Sequence, residues 1–199
     1  MSRLKIEVAR RQLGAALSLY LADNDPVSVH CLANGGCEMV EFYAQKAGAK
    51  PFTSHILQTI PNIDVKEIRK LQRQFWSAFK HPINLHTRQE RDDDELLSRF
   101  DDLQNDHVLF IGWYDYMVAT GALPIEAQVH QLWYLLMYPE KVDPSFSLAR
   151  YEAMFPNLRT KSRADQKKTL NDGIARAHSM PNVWDDPATD RRPLLLSWP

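Results

Sequence analysis

The sequence predicts an all-α fold, a helical bundle of about five to six main helices with a C-terminal helical and extended appendage. Three observations carry this. Apolar residues recur at intervals of three and four, the spacing that gathers them on one side of a helix. Glycine is scarce, at seven of 199 residues. The twelve prolines fall mostly between the periodic segments, where they start or stop helices.

The first helix is expected over 3–22, with Leu13, Ala16, Leu17, Tyr20 and Leu21 as its seam. Asp25 followed by Pro26 is an N-cap and a ring tolerated in the first turn, so a second helix is expected over 26–47, closed by Gly48. Its inward side is Val29, Leu32, Ala33, Gly36, Val40 and Tyr43. Gly35 and Gly36 inside it cost helix propensity, roughly 1 kcal/mol each against alanine, and imply close approach of a neighbouring helix. A short helix over 52–60 lies between Pro51 and Pro61. Asp64 then caps a fourth over 65–81, with Val65, Ile68, Leu71, Phe75 and Phe79 inward and Pro82 as its stop.

A polar loop is expected from Ile83 to Asp92, then a fifth helix over 93–119 with Leu96, Phe100, Leu103, His107, Phe110, Tyr114 and Met117 as its seam. His107 on that seam reads as a buried neutral histidine bonded to a carbonyl or carboxylate. Asp93, Asp94 and Glu95 suit the positive end of its dipole. Gly121 closes it and Pro124 opens a sixth helix over 124–137, antiparallel to the fifth because the connection is short. A weaker helix near 145–154 and a basic one near 163–178 follow. The last twenty residues, which include Trp184 and Trp198, are expected to be extended, lying on their own domain or crossing to a partner subunit. The domains expected are a bundle over 1–140 and an appendage over 141–199.

Charge excludes several roles. Twenty-four Lys and Arg against 25 Asp and Glu leave a net charge of −1, with no global basic field to draw in nucleic acid or an anionic membrane. No stretch approaches the roughly 18–20 apolar residues that span a bilayer, so no membrane partner is expected and a cytoplasmic location is. Cys31 and Cys37 are six residues apart on one expected helix, roughly 9 Å along its axis, too far for a disulfide. There is no structural zinc pattern, no phosphate-cradling glycine loop and no Gly-x-Ser-x-Gly turn. Neither a metal nor a cofactor is expected.

Four constellations could carry chemistry. On the second helix His30, Asn34, Cys37 and Glu41 differ by four, seven and eleven positions, one stripe able to line a polar pocket or to form a half-buried flank. Glu126 and His130, four apart, read as a surface pair. On the fourth helix Lys66, Arg69, Arg73 and Lys80 project within about 60° of one another, opposite the apolar side. This basic stripe is either a solvated face or a set of phosphate contacts. His81 follows Lys80 at the end of that helix, and the loop beyond it offers His86 and Arg88. If the third helix merely turns the chain, the second and fourth helices run antiparallel and His81 ends beside His30, a site for an anion or a proton transfer.

The segment Asp25-Pro-Val-Ser-Val-His30, the helix end Ala78-Phe79-Lys80-His81 and the turn Thr120-Gly-Ala-Leu-Pro124 resemble a group of uncharacterised bacterial helical proteins similar to the HEPN (higher eukaryotes and prokaryotes nucleotide-binding) superfamily. The resemblance covers residues 3–137 and implies a helical bundle, often dimeric. Catalytic members are metal-independent ribonucleases with an Arg followed, after four to six residues, by a His. Here seven residues separate Arg73 from His81, so the catalytic motif is not matched.

The function expected is therefore a non-catalytic module binding a nucleotide, RNA or another phosphate-bearing ligand, assembled as a homodimer. Its expected ligand-binding residues are His30, Asn34, Glu41, Arg73, Lys80, His81 and His86. The alternatives are a ribonuclease of irregular motif spacing, with His81 as acid or base and Arg73 steadying the phosphate, and a purely structural or protein-interaction bundle.

Overall fold

The structure is a computed structural model that describes residues 3–59, 64–84, 86–142 and 147–197. Helix α1 spans Arg3–Leu21, α2 Pro26–Lys46, α3 Phe52–Thr59 and α4 Val65–Lys80. Then come α5 Asp94–Leu97, α6 Leu103–Thr120, α7 Ile125–Met137, α8 Ala149–Glu152, α9 Arg163–His178 and α10 Pro181–Asp185. Among the described residues there is no strand, only two isolated bridges, and the fold is all-α as expected. No helix of the described residues is long and apolar enough to cross a membrane.

The caps form where the sequence places them. Asp25 accepts from the Ser28 amide at 2.8 Å, and Asp64 from the Lys66 amide at 2.9 Å, satisfying donors that a first helical turn leaves unpaired. Helices α1, α2 and α6 form the centre. Leu13 of α1, fully buried, sits between Gly36 of α2 and Gly112 of α6, and a Cβ at either glycine would stand under 3.0 Å from its side chain. The paired glycines of α2 thus admit α1, as their cost in helix propensity implies. Helix α7 lies antiparallel to α6: Phe110 stacks on Tyr134 at 4.0 Å and Gln131 donates to the Phe110 carbonyl. Helix α9 adds Leu170, Ile174 and Ala177 to the same core.

The fifth expected helix is two. A turn at 98–102 separates α5 from α6, where the Asp101 carboxylate accepts from the Leu103 amide at 2.9 Å and restarts the helix. The expected seam of α6 is also rotated, since Leu103 and Met117 are 43% and 40% exposed while Asn105, Asp106, Trp113 and Asp115 are buried. Leu71 of α4 is likewise exposed rather than inward. His130 is fully buried against Tyr20 and Trp133, and Glu126 pairs instead with His178 at 3.0 Å, so these two are not a surface pair. Of the helix expected over 145–154, only α8 forms among the described residues.

The C-terminal residues lie on their own chain. After α10 the backbone bridges Leu123 to Thr189, and Arg10 of α1, fully buried, donates to the Pro193 and Leu194 carbonyls and to Asp190. Gly14 lets the Leu194 carbonyl touch the α1 backbone, since a Cβ there would overlap it. Trp198 lies outside the described residues. Arg10→Ala should cost roughly 2 kcal/mol, because it removes charge-assisted bonds and leaves buried carbonyls unpaired. Hydrogen exchange checks this: amides of 189–197 should lose protection while those of α6 keep theirs, and unchanged protection of the tail would contradict the assignment.

Candidate functional site

The α2 stripe of His30, Asn34, Cys37 and Glu41 lines one cavity of about 240 Å³ that enters the bundle between α2, α4 and α6. The facing wall is a second stripe at helical spacing, Gln104, His107, Val108, Ile111 and Asp115 of α6. Phe75 and Leu71 of α4 cover it, and Thr53 of α3 closes one end.

Helix α4 is clamped over this space by Glu41. One Glu41 oxygen accepts from Thr53 Oγ1 at 3.2 Å and from Arg69 at 2.8 Å, and the other from Arg73 at 3.0 Å. Arg73 also reaches Glu38 at 3.3 Å. These pairs establish that α4 runs antiparallel to α2, since His30 at the opposite end of α2 meets Phe75 and Phe79.

The two cavity histidines are neutral and have opposite tautomers. The Asn105 amide nitrogen donates to the Pro26 carbonyl at 3.0 Å and to Asp102 at 3.3 Å, so its oxygen faces His30 Nδ1 at 3.1 Å and that nitrogen carries the proton. His30 Nε2 has no hydrogen-bond partner and is sealed near Phe75, Phe79 and Phe100. Burial pulls His30 down to a pKa of about 4. His107 Nδ1 receives Lys141 Nζ at 3.4 Å and Tyr134 Oη at 2.9 Å. An ammonium can only donate, so Nδ1 keeps its lone pair and Nε2 carries the proton. Burial, then the Lys141 charge, hold His107 below the ordinary histidine range. Its partner is a tyrosine hydroxyl, not the carbonyl or carboxylate expected from sequence.

The carboxyl of Asp115 differs from that of Glu41. It is 1% exposed and accepts the Phe52 amide at 2.7 Å. No cation among the described residues pairs with it. Burial, opposed by that amide and reinforced by Glu41, pushes it up to a pKa of about 7. The Cys37 thiol donates to the Val108 carbonyl at 3.3 Å, and burial pushes it far up, so it is no nucleophile near neutral pH.

The remaining expected residues are placed elsewhere. His81 lines a separate groove of about 530 Å³ with Lys70, Arg73, Trp76, Ser77 and Arg91. It does not join His30: Phe79 occupies the side of α4 that meets His30, and the chain leaves the helix at His81 with φ −122° and ψ 104°. Lys80 lies over the Trp76 ring at 4.0 Å, and His86 is exposed on a turn closed by Asn84. The basic stripe is divided, since Arg69 and Arg73 reach toward α2 and spend their charge on its carboxylates.

Sequence reasoning missed the α6 wall, above all Asp115 as a cavity group. A signal existed in Gln104, His107, Ile111 and Asp115, which recur at three and four positions beside the apolar residues. Among the described residues no group of three or more His, Cys, Asp or Glu is placed to hold a metal ion. Comparison with protein-family models finds no match, and comparisons with curated proteins and with solved structures find none either.

Proposed function

We propose that the chain is a small-molecule-binding helical module whose ligand occupies the cavity between α2, α4 and α6. The observation that carries this reading is the pair of facing stripes, which place His30, Asn34 and Glu41 opposite Gln104, His107 and Asp115 around an open volume at core depth. A bundle built for stability alone would fill that volume with aliphatic side chains. Voids forfeit dispersion contacts, and buried polar groups cost free energy unless paired. The Gln72 amide nitrogen and His30 Nε2 are both sealed without a partner, as befits a wall that packing alone does not optimise. Pockets of this kind, mostly apolar with a few converging polar groups, are where ligands bind in helical bundles.

An apolar cavity of about 150 Å³ holds benzene, so about 240 Å³ holds one aromatic ring and a short arm. Phenethyl alcohol is therefore a suitable neutral probe. At millimolar concentration it should shift backbone NMR signals of residues 104–115 and 30–41. Ile111→Phe, which fills the space, should weaken that binding at least tenfold while the melting temperature stays within a few degrees. Shifts confined to other surfaces, or undiminished by Ile111→Phe, would refute the reading.

The phosphate-ligand reading keeps one place, the groove where Arg73 and His81 come together with Lys70. Arg73 is engaged by Glu38 and Glu41, and Arg91 by Asp93, so Lys70 is the groove lysine without a carboxylate partner among the described residues. Short single-stranded RNA or adenosine monophosphate should lose binding in the Lys70→Ala, His81→Ala double variant if this groove is used, and equal binding to intact and variant chains would remove it.

A further inference from the structure

We propose that the cavity selects a ligand with a protonated amine on a short arm attached to an aromatic or similarly flat apolar body, the amine seated against Asp115. The inference rests on the cavity being a ligand site and names the class of ligand it takes. Three observations point the same way.

The first is an unmatched buried charge. Glu41, the other carboxylate on the cavity, is gripped by Arg69 and Arg73 and closed by the Thr53 hydroxyl. Asp115 has only the Phe52 amide, which takes Oδ1 and leaves Oδ2 without a donor among the described residues. A buried carboxylate with one neutral donor is costly, and a cation delivered by a ligand is the partner it lacks.

The second is the division of the cavity by chemistry. Asp115 lies eight residues along α6 from His107, roughly 12 Å at helical rise. The His107 end is walled by Phe75 and Val108, with His30 neutral beside them, and the Asp115 end holds the carboxylates. An apolar body at one end and a charged nitrogen at the other match this arrangement within the volume available.

The third is what faces Asp115. From α2 come Glu41 and the neutral Cys37 thiol, from α6 the neighbouring Tyr114 hydroxyl, and from α3 the Phe52 amide. Arg73 of α4 also lines the cavity, and its guanidinium is paired with Glu38 and Glu41. Apart from Arg73, whose charge Glu38 and Glu41 already match, the groups around Asp115 are neutral or negative, which disfavours carboxylate and phosphate ligands at this end and favours a cation.

Phenethylamine, phenethyl alcohol and phenylacetate share a ring and differ in the head group, so calorimetric titration of the intact chain with the three separates the charge from the cavity. At pH 8 the amine should bind at least tenfold more tightly than the alcohol, with phenylacetate weakest. At pH 5.5, where Asp115 holds its proton, the advantage of the amine should shrink to under threefold. Asp115→Asn retains an acceptor for the Phe52 amide and should abolish the advantage at pH 8 while changing alcohol binding less than threefold. Equal binding of amine and alcohol to the intact chain at pH 8 would overturn the inference and leave the cavity as a binding site. Amine binding that survives Ile111→Phe unchanged would place the amine elsewhere and overturn it too. Failure of all three probes to bind would overturn the inference together with the reading beneath it.

Discussion

Asp106→Ala should lower the unfolding free energy by about 3–5 kcal/mol, the cost of breaking a buried ion pair from one side. Asp106 is fully buried in the first turn of α6 and ties α1, α9 and the residue that follows α7 to that helix. One of its oxygens accepts from Tyr20 of α1 and from Arg163 of α9, both at 2.5 Å, and the other from Tyr138 after α7 at 2.7 Å and again from Arg163 at 3.0 Å. Its removal takes the acceptor from the Tyr20 and Tyr138 hydroxyls and one of two carboxylates from the Arg163 guanidinium. Arg163 keeps Asp102, to which Lys167 also donates at 2.8 Å, so the α9 end stays charged and paired. Urea unfolding checks the value. The double variant Asp106→Ala, Arg163→Met should be less destabilised than Asp106→Ala alone, because the half-buried cation that lost one of its two carboxylates is gone. A single-variant loss under about 1 kcal/mol would show that the cluster contributes little.

Stability should rise by roughly 2 kcal/mol between pH 4.5 and 6, a slope of about 1.4 kcal/mol per unit, equivalent to one proton. His30 and His130 both have folded-state pKa values of about 4, each lowered mainly by burial. The unfolded chain binds their protons below about pH 6.5 and the folded chain does not, so the stability they support is complete above about 6.5 and lost as pH falls toward 4. Asp115 works the other way. Its pKa of about 7 means the folded chain holds a proton that the unfolded chain has released, so its contribution is complete below about pH 4 and lost as pH rises through 7. Two protons against one leave the net slope, to which His107 adds with the same sign as the other histidines. Asp115→Asn removes the opposing proton and should nearly double the slope. Stability that does not change from pH 4.5 to 6 would contradict the burial assigned to both histidines.

Much of the fold was legible because its signals are local. Ser162 caps α9 by accepting from the Asp165 amide, and that helix begins and ends where the periodicity places it. The break before α6 was not legible from period alone, since Phe100 and Leu103 continue a three-and-four pattern straight through the turn that Asp101 makes. The phase of α6 was misread for a related reason. Its buried side carries Asn105, Asp106 and Asp115, which read as solvent-facing until Arg163, His30 and the Phe52 amide are seen to satisfy them. Partners 57 to 75 residues away leave no mark in a local window.

The same distinction divides the site. The α2 stripe was readable because His30, Asn34, Cys37 and Glu41 are one helix's own spacing, and all four line the cavity. The wall opposite was hidden by the misread phase of α6. The meeting of His30 and His81 failed on a matter of two residues, because Phe79 and not His81 is the side chain that α4 turns toward His30. The basic stripe has a similar history: Arg69 and Arg73 read as a solvated face or as phosphate contacts until Glu41 is found between them.

The central claim, that the space between α2, α4 and α6 is a ligand site, is tested most directly by a crystal structure of the protein soaked in phenethyl alcohol. The expected result is density for one ring against Phe75, Val108 and Ile111, with the hydroxyl directed toward Asp115. A cavity closed by side chains, or density found only on other surfaces, would contradict it.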